Sequence, residues 1–225
     1  PDDALHWTGP YKTWNARCAS CHATGYEKAY DPATRRYAST EAEIGVGCEA
    51  CHGPGSAHVA WAETGAAPRD GLTAAGFTVA LQDRDEVFGL CAACHSRREA
   101  LDDGNPIPGT PFHDAFRLAL LRPGLYHADG QILDEVYVAG SFLQSRMHAA
   151  GVGCLDCHDA HSARRKAEDN ALCTQCHSPA GNPDFPTLRT ALYDDPAHHF
   201  HPSGSSGAQC KTCHMIERTY MGVDG

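Results

Sequence analysis

A chain of 225 residues with 28 acidic against 18 basic side chains, a formal charge of −10, would be repelled by nucleic-acid phosphates, so a nucleic-acid partner is excluded. Only 8% of residues are aromatic, mean hydropathy is −0.42, and 22 Gly and 14 Pro leave few long periodic segments, which argues against an ordinary core of packed helices or sheets. No run approaches the roughly 18 apolar residues that cross a bilayer, and the most apolar stretch, Leu118 to Leu121, stops at Arg122 and Pro123.

In chain order, the patterns predict a helix over Lys12 to His22 and a hairpin in which Tyr26 to Tyr30 and Arg36 to Ser39 flank Asp31-Pro32. A short helix follows over Ser56 to Ala62, then a helix over Asp85 to Ala100 and another over Pro111 to Leu121, with Pro near its start. Leu125-Tyr126-His127 and Gln131-Ile132-Leu133 around Asp129-Gly130 read as a second hairpin, and Ser141 to Ala150 as a helix ending before Gly151. Asn182 to Pro186 and Ser203 to Gly207 are turn-rich links, not boundaries, so residues 1–225 are expected to form a single domain. The expected fold is mostly irregular, with short helices and one or two small hairpins.

Twelve Cys and fifteen His are the unusual numbers, since both residue types are normally sparse and both bind metals. Every cysteine falls into C-x-x-C-H: Cys18, Cys21 and His22; Cys48, Cys51 and His52; Cys91, Cys94 and His95; Cys154, Cys157 and His158; Cys173, Cys176 and His177; Cys210, Cys213 and His214. Two intervening residues let both sulfurs reach the two vinyl groups of a haem, and the next residue presents its imidazole to the iron from the same side. Zinc ribbons also use C-x-x-C pairs, but zinc does not require a His after every pair. A disulfide framework has no reason to hold all cysteines at one spacing. The motifs therefore predict six covalently attached haem c groups with iron, on a chain offering only about 37 residues to each.

So light a load cannot surround each haem separately, and the haems are expected to stack into a chain that doubles as the hydrophobic core. The bare polypeptide should then be largely unfolded. Haems of this kind are attached after export, so the chain is expected to be a mature or processed product of a longer precursor, periplasmic or extracellular, whose leader has been removed.

Six-coordinate iron needs a second axial ligand, and nine further His are present: His6, His58, His113, His127, His148, His161, His198, His199 and His201. Bis-His ligation of every haem is therefore available without Met147, Met215 or Met221. His6, His58, His127, His148, His161 and His201 are the expected distal ligands. His198 or His199 is an alternative to His201, because all three share one short segment. His161 lies three residues after His158, and His58 six after His52, so each is expected to ligate a different haem from the one attached beside it. Arg97-Arg98 and Arg164-Arg165-Lys166 read as solvated surface, with neutralisation of haem propionates as their functional alternative.

The phrases Gly47-Cys48-Glu49-Ala50-Cys51-His52-Gly53-Pro54-Gly55-Ser56-Ala57-His58, Ser145-Arg146-Met147, Gly151-Val152 with Cys154 to His161, and Gly207 to Met221 resemble a family of bacterial multihaem cytochromes c. Its members carry doubled C-x-x-C-H motifs, often with tetratricopeptide repeats, and are related to nitrification-type cytochromes. The resemblance runs over nearly the whole chain from His6-Trp7 and implies low-potential bis-His haems in a loop and short-helix fold. It also supports His6, His58, His148, His161 and His201 as distal ligands.

Three functions compete. One is an electron carrier, in one version the subunit of an extracellular filament whose haems stack between copies, serving redox proteins or extracellular acceptors. Another is a reductase of a nitrogen or sulfur oxyanion, which needs an iron with an open position; no motif replaces its His with Lys to designate one. The third is an electron-delivery domain of a larger cytochrome.

Overall fold

A computed structural model describes His6 and residues 12 to 218, so the expected family residues Trp7, Thr219, Tyr220 and Met221 lie outside the described residues. Its contacts divide the chain into two compact units: Pro1–Leu120 with Tyr137–Gly140, and Leu121–Val136 with Ser141–Gly225. Each contains three of the six motifs.

The first unit opens with a π-helical turn, Trp14–Cys18, running into the helix Ala19–His22. The strand Ala23–Thr24 then pairs antiparallel with Glu43–Ile44, closing a loop that holds the expected hairpin, Tyr30–Asp31 against Arg36–Tyr37. Tyr26 anchors this loop. Its ring is 2% exposed and packs with Ala19 and Ala23, and its hydroxyl donates to the Asn15 carbonyl at 2.7 Å. The second cluster packs Ala92, Phe112, Phe116 and Ala139, with Phe88 and Leu118 at its margin.

The helix Arg84–Ala92 ends well before Ala100, where the sequence pattern had carried it. Ser96 donates to the Ala92 carbonyl at 2.7 Å, satisfying one of the acceptors that a longer helix would have used. The chain then extends, and Arg98–Ala100 pairs antiparallel with Phe116–Leu118. That pairing also shortens the expected helix from Pro111: only Phe112–Ala115 is helical, after which buried Phe116, exposed Arg117 and half-buried Leu118 alternate as a strand does.

In the second unit the expected hairpin at Asp129-Gly130 is reduced to a bridge between Tyr126 and Ile132. The segment expected to be one helix splits into Tyr137–Leu143, whose first four residues belong to the first unit, and Arg146–Ala149, because Ser145 accepts from the His148 N–H at 3.0 Å and starts a new helix. An unexpected hairpin joins His158–Asp159 to Arg164–Arg165. Short helices at Cys154–Cys157, Asp169–Thr174, Pro196–His199 and Cys210–His214 complete the unit. No helix among the described residues is long and apolar enough to cross a membrane.

The polypeptide alone is thinly packed. It exposes 15341 Å², where a compact chain of its mass would expose about 10,000 Å². Tyr26 and Val136 are the largest fully buried side chains among the described residues.

Local capping carries correspondingly more weight. Asp83 accepts from the N–H groups of both Asp85 and Glu86 at 2.9 Å, and those two acidic side chains suit the positive helix end. Asp83→Ala is expected to destabilise the purified protein by about 1 kcal/mol while Asp83→Asn loses far less, as read by thermal unfolding. Equal losses for the two variants would show that the cap does not act through its hydrogen bonds.

Candidate functional site

Each C-x-x-C-H lies on a single helical turn or at a helix end, at Ala19–His22, Glu49–His52, Arg84–Ala92, Cys154–Cys157, Asp169–Thr174 and Cys210–His214. One hydrogen bond recurs: the His N–H donates to the carbonyl of the first Cys from His52 to Cys48, His95 to Cys91, His158 to Cys154 and His177 to Cys173. Positions i, i+3 and i+4 of a helix share a face, so this turn sets two sulfurs and one imidazole side by side. Intervening residues brace two of the turns. Glu49 accepts from the Gly55 N–H and Asp156 from the Gly153 N–H, both at 2.7 Å.

All twelve cysteines are free thiols, and among the described residues no group of three or more His, Cys, Asp or Glu is arranged to hold a metal ion. Cysteines of different motifs are near enough to influence one another's thiols. Hydrogen bonding from the Cys94 thiol, opposed by burial and aided by the Arg98 charge, lowers Cys21 to about 6. The same bond, together with burial, pushes Cys94 up. In the second unit burial and then the neighbouring Cys210 raise Cys173 to about 11. Burial followed by Asp156 raises Cys157, which also feels Cys176.

The candidate distal histidines are placed as follows. His58 sits on the helix Ser56–Thr64, its Nδ1 2.8 Å from the Ala75 carbonyl oxygen. Donation there leaves Nε2 as the nitrogen able to bind a metal. The Phe77 ring lies 4.1 Å from the His58 ring and 4.9 Å from that of His52. Gly76, at φ +83°, lets this loop approach closely: a Cβ there would stand 2.7 Å from the His58 backbone nitrogen. The Nε2 atoms of His127 and His199 are both buried without a hydrogen-bond partner, as suits an imidazole able to bind a metal. His148 lies edge-on to Phe142, His161 occupies the turn of the His158–Asp159 hairpin, and His6 is half-buried. His113 packs against Phe112 on an exposed helix face, and the segment 198–201 lies close to the last motif.

Two side chains important to the site gave no local signal. Arg98, read as solvated surface, has its guanidinium 3.9 Å over the Phe116 ring and donates to Cys21 Sγ at 3.6 Å, while its Nε donates to the Ala93 carbonyl. Tyr193 meets both His177 and His198 edge-on. Large apolar side chains left exposed cluster beside the motifs, among them Ile44 and Val46 before Cys48, and Met215 and Ile216 after His214. Free thiols at thioether spacing, an unpartnered buried imidazole nitrogen and uncovered apolar surface all fit haem c.

Residues 6–53 match the family model described as cytochrome c554 and c-prime, and residues 148–182 match that of the doubled CXXCH motif. No curated protein matches the chain. The crystal structure of outer cell wall cytochrome OcwA is similar in fold, with a TM-score of 0.53 at 20% identity, and the match covers 75% of this chain and 45% of that one. The chain thus spans less than half the length of that solved relative. Repeated C-x-x-C-H turns, the two partial family matches and this irregular, short-helix fold together support a bacterial multihaem cytochrome c.

Proposed function

We propose that residues 1–225 form one hexahaem domain that carries a haem c at each of its six motifs and passes electrons along them. In this reading His22, His52, His95, His158, His177 and His214 are the proximal ligands. His6, His58, His127, His148, His161 and one histidine of the segment 198–201, expected from the sequence to be His201, stand opposite them. Haem iron, when bound, supplies the one-electron couple.

The six C-x-x-C-H turns carry the proposal: each sets two sulfurs and an imidazole on one helical face, on a chain with only about 37 residues to each. Groups attached so densely have neighbouring edges, which is what electron tunnelling requires. The chain's own residues hold, orient and tune. The helical turns fix each attachment, the Ala75 carbonyl selects the tautomer of His58, and Arg98 sets a positive charge beside the Cys21 attachment.

Bis-His ligation implies low potentials. Export to the periplasm or the cell exterior accords with the outer-cell-wall description of the structurally similar cytochrome. Partners are then redox proteins or extracellular acceptors, and an extracellular filament of copies stacked haem to haem is the most extended form of this role.

Mass spectrometry of native protein is expected to find six macrocycles on the chain, and electron paramagnetic resonance to find low-spin iron throughout. A bare polypeptide mass removes the proposal, whereas a high-spin signal that changes with an added nitrogen or sulfur oxyanion transfers it to a reductase. Electron microscopy of concentrated protein tests assembly, ordered fibres being the expected result and isolated monomers the opposing one. Gly76→Ala should move the Ala75 carbonyl off His58, weaken that imidazole as a donor and raise the potential of one haem in a redox titration. An unchanged titration would show that the contact does not tune the iron.

A further inference from the structure

Three histidines crowd the segment before the last motif, and the structure gives them different tasks. We infer that His198, and not His201 or His199, is the axial partner of His214; the inference rests on the six-haem reading above.

The His198 and His214 rings are parallel within 1°, with centres 6.2 Å apart. Two imidazoles bound to one iron from opposite sides are separated by twice the sum of a metal–nitrogen bond of about 2 Å and a nitrogen-to-centre distance of about 1.1 Å, or about 6.2 Å. The observed spacing is therefore that of an axial pair.

Both rings sit on defined backbone. His198 rides the helix Pro196–His199, which begins with Pro at its first position and is capped by Asp195, whose carboxylate accepts from the Ala197 N–H at 2.8 Å. His214 closes the helix Cys210–His214. Tyr193 holds the ring orientation. It meets His198 edge-on at 5.2 Å and His177 at 6.0 Å, and its hydroxyl donates to the Arg189 carbonyl at 2.9 Å. One side chain thus touches a ligand of the fifth attachment site and a ligand of the sixth.

The other two histidines have different surroundings. His199 Nδ1 accepts from the His201 N–H at 3.2 Å, while its Nε2 is buried without a hydrogen-bond partner, 3.9 Å from the Asp194 carboxylate. The His201 ring lies against the turn Ser206–Ala208, so close that a Cβ on Gly207 would stand 2.6 Å from its Nδ1. The His201 ring packs against that turn.

The test uses His198→Ala, His199→Ala and His201→Ala in the full chain, with macrocycle content checked by mass. His198→Ala is expected to convert one-sixth of the iron to high spin in electron paramagnetic resonance, with added imidazole restoring the low-spin signal. His199→Ala and His201→Ala should remain low-spin. A fully low-spin His198→Ala, or a high-spin sixth appearing in His201→Ala, overturns the assignment. Should His198→Ala fail to accumulate, His198→Met is read for a methionine-to-iron charge-transfer band on one-sixth of the iron; no such band in the loaded variant also overturns it. A parent chain without macrocycles instead overturns the functional reading beneath it.

Discussion

The structure depends on one turn of helix used repeatedly. Two sulfurs and an imidazole share a face only when the backbone between them is helical, and the hydrogen bond from the His N–H to the first Cys carbonyl holds it there. Isolated turns of four or five residues are unstable in water, because nucleation fixes several residues for one bond. Four of the six are supported by a further hydrogen bond: by Glu49 and Asp156 bracing their own turns, by the Asp83 cap upstream of Cys91, and by Asn170, whose side-chain oxygen accepts from the Cys210 N–H at 2.8 Å.

Support of this local kind suits a chain that cannot build a large apolar centre. Its two clusters are small, and aliphatic side chains that would be buried in an ordinary domain of this length stand exposed beside the motifs. Burial of a Leu- or Val-sized side chain is worth about 1.5–3 kcal/mol. Covering Ile44, Val46, Met215 and Ile216 with a flat apolar group is thus a large part of what would stabilise the fold. Cofactor attachment and folding are in that sense the same process.

The C-x-x-C-H motifs were legible in the sequence because their chemistry demands adjacency along the chain, and the helix around His58 was legible for a related reason, a local pattern after the glycines. What was illegible is long-range. The helices expected to run to Ala100 and Leu121 stop early because Arg98–Ala100 and Phe116–Leu118 pair with each other, which neither segment announces alone. Arg98 has a surface composition around it, yet its contact with Cys21 spans 77 positions. His198, His199 and His201 have nearly the same sequence surroundings, and only the placement of Tyr193, Asp194 and Gly207 separates them.

The approach of Cys21 to Cys94 also bears on how the molecule is made. In a polypeptide still lacking its cofactors, two neighbouring thiols are open to oxidative cross-linking in a compartment that favours disulfides. Such a bridge would join two motifs and block both. Attachment on an open, reduced chain, with each thiol consumed before the first unit closes, would avoid that bridge.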